Sequence, residues 1–168
     1  VQACITLALE KSNIILMVGG VSVGEYDYVV EAAKACGVEQ RFHGIRQKPG
    51  KPLFFGSRGE QLLFGLPGNP ASALSCFYLY VATVLEELMH KKAQIQKISA
   101  PITGDYNKKV GLTHFLKGNY NGSTVTALHA QESYRLQSFA QANCLIVLDE
   151  NTAGCIAGEL VDIHLLHN

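Results

Sequence analysis

Five consecutive apolar residues, Ile14–Val18, stop abruptly at a pair of glycines, and this arrest constrains the fold more than any other stretch of the chain. A short, continuous apolar run is the pattern of a strand buried on both faces of a parallel sheet. The run is followed by Gly19, Gly20, Val21, Ser22, Val23, Gly24, Glu25, Tyr26 and Asp27. Residues 28–35 then have helical spacing through Val29, Ala32, Ala33 and Cys36, with Gly37 as the stop. The glycine loop therefore lies at the carboxyl end of a strand, where open α/β sheets bind ligands. Gly19, Gly20 and Gly24 let backbone approach a ligand, Ser22 adds a hydroxyl, and the helix start presents free N–H groups to an anion. A plain strand-to-helix turn with Asp27 as N-cap accounts for the same residues equally well. Beside a phosphate, Asp27 could instead hold Mg²⁺, although local sequence favours the cap.

Further along, residues 41–45 and 53–56 read as strands around a turn at Pro49 and Gly50, and residues 61–65 as a strand leaving Arg58 and Gly59. Asn69 and Pro70, a favoured N-cap and first helical residue, open a helix reaching about Met89. The near-apolar stretch within it, residues 71–85, falls short of the roughly 18 residues of a membrane span. After about residue 97, helical periodicity fades. Residues 113–120 and 123–129 flank Asn121 and Gly122, a two-residue hairpin signal; residues 145–148 and 160–165 read as strands and 136–142 as a helical turn. The expected architecture is an α/β three-layer sandwich with a mostly parallel sheet, its N-terminal part missing, over residues 1–92. A small all-β, barrel-like domain over residues 97–168 follows.

Two more segments can carry chemistry. Lys48, Pro49, Gly50, Lys51 and Pro52 project two ammonium groups from a turn stiffened by proline, which suits a phosphate or oxyanion or is simply a solvated basic turn. Gly65, Leu66, Pro67, Gly68, Asn69 and Pro70 form a second strand-to-helix turn with an anion-accepting helix start. Two such turns and a basic turn would reach one edge of one sheet. The formal net charge of zero argues against a general nucleic-acid binder, which needs a surplus of positive charge. Five cysteines without a CxxC pair read as reduced thiols of a cytoplasmic protein rather than a zinc site. The six histidines show no HxxxH or triad context.

Taken together, GGVSVGEYD, KPGKP and GLPGNPASA, in this order and at these separations, resemble the molybdopterin molybdotransferase family, which includes bacterial MoeA enzymes and the gephyrin E domain. The similarity covers essentially the whole chain, as the C-terminal portion of the family's architecture. It implies insertion of molybdate into adenylated molybdopterin with release of AMP, using a divalent metal such as Mg²⁺. By that resemblance, Asp27 would be catalytic and metal-binding, and Lys48 and Lys51 catalytic. Gly19, Gly20, Ser22, Gly24, Pro49, Gly50, Pro67, Gly68 and Asn69 would bind nucleotide or pterin, with Ser133 reaching in from the β domain. The resemblance also implies a cytoplasmic homodimer with no nucleic-acid or membrane partner; the other reading is a scaffold of the gephyrin type. A single-domain adenylyltransferase fits less well, because of the appended β domain. The chain departs from the family at Val18, where a hydroxyl residue is common, near Gly44, where some members carry lysine, and at Leu112–Thr113, where many carry arginine.

Overall fold

The computed structural model describes residues 1–22, 28–91 and 95–166. Helix α1 (Gln2–Lys11) leads into β1 (Ile14–Val18), α2 (Val29–Ala35), β2 (Glu39–His43), a two-residue β3 (Gln47–Lys48), β4 (Phe54–Arg58) and β5 (Gln61–Leu66). A long helix follows, made of α3 (Pro70–Cys76), a π-helical segment (Phe77–Ala82) and α4 (Thr83–Leu88). The rest is β6 (Gln96–Pro101), β7 (Tyr106–Asn107), β8 (Thr113–Tyr120), β9 (Val125–Ala127), α5 (Gln137–Ala140), β10 (Cys144–Leu148), β11 (Gly154–Cys155) and β12 (Leu160–Leu165).

The first sheet has the order β1-β5-β4-β2. Only β1 and β5 run parallel, with Ile14 opposite Leu62 and Val18 opposite Leu66; β5 with β4 and β4 with β2 are antiparallel. The expected mostly parallel sheet is therefore wrong. Arg58 pairs with Gln61, so β4 and β5 are joined by a two-residue turn, and a link that short permits only antiparallel neighbours. Alternation along β5 buries both its faces. Leu63 packs with Ile5, Leu9, Val29 and Ala33 of α1 and α2, whereas Phe64 and Leu66 pack with Cys76 and Val81 of the long helix.

The second sheet has the order β3-β8-β10-β12-β6, with β9 also on β8. Its neighbours are antiparallel except β3 with β8. The end strands β3 and β6 do not pair with each other, so the sheet is open and the expected barrel-like closure is corrected. The edge of β8 away from β10 is occupied by β3 at Thr113 and His114 and by β9 from Gly118 to Tyr120. Beyond β6, Ile102 meets Val125 of β9 in one isolated bridge, which does not extend into a ladder that would close the ring.

The hairpin at Asn121 also differs from the two-residue expectation. Tyr120 pairs with Val125, leaving four loop residues, and Asn121 Oδ1 accepts the N–H groups of Ser123 and Thr124 at 3.0 and 2.9 Å. That side chain supplies the turn contacts that backbone would make in a tighter hairpin. The two halves share a core where Ala71 of α3 meets Phe139, Leu145 and Leu166, and the Tyr78 and Phe139 rings stack at 6.0 Å. By length and composition the 19-residue helix Pro70–Leu88 could cross a membrane, but Ala71, Cys76 and Val81 are committed to packing inside the fold. All five cysteines are free, as a reading of reduced thiols expects; Cys76, Cys144 and Cys155 are buried, whereas Cys4 is exposed.

Candidate functional site

A cleft of about 550 Å³ opens where the two halves meet. One wall is backbone. Gly19 at the end of β1 donates its N–H to Leu66 O at the end of β5 (2.9 Å), which ties the two strand-to-helix turns together. Val29, the first residue of α2, donates to Gly20 O at 3.0 Å, and His43 Nε2 lies 2.7 Å from Val21 O. The packing tolerates no extra atom here: a Cβ on Gly65 would stand 2.5 Å from Val21 Cγ1. Gly19, Gly20 and Ser22 face Pro67, Gly68 and Asn69 across this part of the cleft.

The opposite wall is built from side chains. The Lys48–Pro49 peptide is cis, and the turn after it rests on the long helix through Gln47. Gln47 Nε2 donates to Pro49 O at 2.9 Å, and its Oε1 accepts from the Tyr80 hydroxyl. Gly50 has φ +95°, and a Cβ there would lie 2.4 Å from Cys76 Sγ. Burial pushes the Cys76 thiol up to about 12; burial and then the neighbouring Cys76 push the Tyr80 phenol up to about 12 as well. Both groups are therefore neutral at physiological pH, and the only charges on this turn are the exposed ammonium groups of Lys48 and Lys51. Opposite Lys48 in the β3–β8 pairing stands His114, 7% exposed, its Nδ1 without a hydrogen-bond partner. Burial first, then Lys48 and Lys108, lower its pKa, so it does not add a cation.

Asn69 does not play the part its position suggests. It stands at the N-cap of α3, yet its side chain makes no capping bond. Its Nδ2 donates instead to Ser133 Oγ at 2.9 Å, and the Ala71 N–H donates to Ser133 O at 3.2 Å. A helix start of the first half is thus completed by a loop of the second, and that bond closes the cleft on one side.

Among the residues named from sequence, the structure brings Gly19, Gly20, Ser22, Lys48, Pro49, Gly50, Lys51, Pro67, Gly68, Asn69 and Ser133 to the same cleft. Gly24 and Asp27 lie outside the described residues. The cleft also takes in Gln47, Ser72, Leu112 and Gln131, which sequence reading did not single out as ligand contacts. Gln47 sits beside KPGKP and Ser72 within GLPGNPASA, but what makes Gln47 part of the site is its tertiary contact with Tyr80. Arg46 turns away from the cleft to an ion pair with Glu150 (3.3 Å). Among the described residues, no three His, Cys, Asp or Glu side chains gather as a metal site.

Residues 1–90 match the family described as "Probable molybdopterin binding domain", and residues 99–166 match the MoeA C-terminal region (domain IV). The chain belongs to the MoeA family. It is 33% identical over 163 residues to the molybdopterin molybdenumtransferase of Staphylococcus epidermidis and 32% identical to that of Staphylococcus aureus. Each alignment covers 94% of the chain but 39% of the relative, so the chain spans about two-fifths of the length of these MoeA relatives. A molybdopterin biosynthesis MoeA protein of Pyrococcus horikoshii superposes with a TM-score of 0.82 at 24% identity, over 99% of this chain and 40% of the other. A molybdenum cofactor biosynthesis protein of Pyrococcus furiosus gives 0.78 at 22%, over 98% and 53%. At such identities the likeness shows a shared fold. Family membership places the chain in molybdenum cofactor biosynthesis, with family-level similarity to a transferase.

Proposed function

We propose that the chain is the catalytic C-terminal part of a cytoplasmic, homodimeric enzyme that inserts molybdate into adenylated molybdopterin and releases AMP. The observation that carries this reading is the convergence of both strand-to-helix turns and the Lys48–Lys51 turn on one cleft. Lys48 and Lys51 attract the molybdate and the phosphates, and they offset the negative charge that gathers on the phosphate oxygens as the anhydride P–O bond breaks. The backbone wall at Gly19, Gly20 and Gly68 leaves room for a flat nucleotide or pterin, while Asn69 and Ser133 offer polar atoms that fix its orientation.

The described lining carries two ammonium groups and no carboxylate, a donor set that suits an anion and does not fit a divalent cation. A place for Mg²⁺ rests on Asp27 alone, outside the described residues. The test is AMP release from adenylated molybdopterin by the intact protein in the presence of molybdate. Lys48→Ala and Lys51→Ala should each slow release by about 100-fold, with melting temperature unchanged. Asp27→Asn should abolish any dependence of release on the metal. Wild-type rates from both lysine variants would overturn the assignment. Binding of a partner peptide with no affinity for the adenylated pterin would replace it with the scaffold reading.

A further inference from the structure

Strand β8 carries a lysine in an unusual place. Lys117 is 4% exposed, although lysine is almost never fully buried without a partner. A buried ammonium is costly unless its three N–H donors are met. Here Nζ reaches Ala130 O at 2.9 Å, Arg135 O at 3.3 Å, Glu132 O at 3.4 Å and Ser138 Oγ at 2.6 Å. These four oxygens belong to one segment, residues 130–138, which runs from a loop into the start of α5 and wraps around the cation. The backbone of Lys117 is gripped as well: its N–H donates to Gln131 Oε1 at 2.9 Å, and its carbonyl accepts from Gln131 Nε2 at 2.8 Å.

The arrangement has a direction. The carbonyls of residues 130 and 132 turn toward the ammonium, whereas Gln131 and Ser133 line the cleft. Ala130 adopts φ +60°, a left-handed conformation that residues with a Cβ take at a steric cost. Its carbonyl is the one that both Lys117 and Ser138 hold. Burial, the largest influence, lowers the Lys117 pKa, the Glu132 charge opposes it and Arg135 adds to it.

We propose that Lys117 is a positioning residue for the cleft: its buried ammonium holds residues 130–138 in the one shape that sets Ser133 against Asn69 and Ala71 and Gln131 at the cleft wall. This deepens the functional reading above, because it says what keeps the second half's contribution in place. It also predicts a specific weak point. Without the cation, the Ser138 hydroxyl is the one donor left among these four oxygens, and its single proton serves the Ala130 or the Arg135 carbonyl but not all three, so the segment loses most of what holds its curl.

The test is hydrogen exchange of the whole chain, together with AMP binding to the intact protein. In Lys117→Met, which keeps length and removes charge, the Ala71 amide should exchange at least about tenfold faster while the amides shared by β10 and β12 are unaltered. The AMP dissociation constant should rise about tenfold. Lys117→Arg, which returns a cation, should recover both. Ser138→Ala, which removes one of the four oxygens, should act in the same direction with smaller size, and it decides the matter if Lys117→Met does not fold. Unchanged protection at Ala71, or equal acceleration throughout β10 and β12, would overturn the proposal. Absence of AMP binding by the unsubstituted protein would remove the nucleotide reading, while the exchange pattern would still decide the role of Lys117.

Discussion

The two walls of the cleft are made in opposite ways. The wall at residues 19–22 and 65–69 is held by what is missing: glycine lets the two strand-to-helix turns touch, and a backbone hydrogen bond from Gly19 to Leu66 ties them. The wall at residues 47–52 and 131–133 is held by side chains, through Gln47, Tyr80, Lys117 and Ser138. The first can be damaged only by adding atoms, and it has little that titrates. The second can be damaged by removing a group or changing its charge. A cleft proposed to take an anionic ligand gains from this pairing: a passive backbone surface for the bulk of the ligand, and a cationic, adjustable surface for its charge.

The sharpest place to break the comparison is Gly50, where the glycine device is embedded in the side-chain wall. A methyl group there meets Cys76 Sγ at 2.4 Å and Gln47 Nε2 at 2.7 Å, and the positive φ penalises any Cβ. Overpacking and backbone strain together put the cost of Gly50→Ala at about 2–4 kcal/mol. Chemical denaturation should show the midpoint falling with the slope unchanged. A loss under about 0.5 kcal/mol would mean that the basic turn can lift off the helix, and that the second wall is less firmly wired than its hydrogen bonds indicate.

Titration comes next, because it should strike one wall and spare the other. The Cys76 thiol and Tyr80 phenol under the basic turn are both raised to about 12, from ordinary values of 9.0 and 10.0. Above pH 9 the unfolded chain releases these protons while the folded protein keeps them, so stability is lost as pH rises from about 9 toward 12. Cys144, in the core of the second sheet, is raised to about 11 by burial and adds to the same slope. Thermal melts between pH 8 and 11 should therefore show a falling melting temperature, and Cys76→Ala should make the fall shallower whatever it does to absolute stability. An equal slope in the variant would remove Cys76 from the explanation. On the acid side the sign reverses for His114. Its lowered pKa keeps it neutral in the fold, so stability declines as pH drops below the ordinary histidine value of 6.5 and the unfolded chain takes up the proton.

The same contrast explains which parts of the molecule were legible in the sequence. The backbone wall announces itself locally: Ile14–Val18 and its glycines, and Asn69–Pro70 after β5, carry strand, turn and helix signals within a few residues of one another. Strands β8 and β12 were likewise readable from their own patterns. The side-chain wall was not, because its bonds span long stretches of chain. Gln47 meets Tyr80 33 residues later, and Asn69 meets Ser133 64 residues later. β3 is two residues long, too short to show a period, yet it joins the second sheet and carries Lys48. Strand direction failed for a related reason. A buried apolar run looks the same in a parallel or a mixed sheet, and here the tight turn between β4 and β5 decided the matter.

The smallest expected effect lies just outside the cleft, and it tests where the wired wall ends. Arg46 precedes β3 and meets Glu150 at 3.3 Å; its Nε also donates to Gly111 O at 3.3 Å. The arginine side chain is 70% exposed and the glutamate 30%, so water and salt screen the attraction. Because Thr113 N–H donates to the Arg46 carbonyl at 2.9 Å, the β3–β8 junction is secured by backbone without the ion pair. Arg46→Ala should therefore cost no more than about 1 kcal/mol, a cost that shrinks further at 1 M salt, and should leave ligand affinity unchanged. A loss of affinity together with a normal melting temperature would show instead that the guanidinium reaches the cleft once a ligand is present, and would extend the cationic wall by one residue.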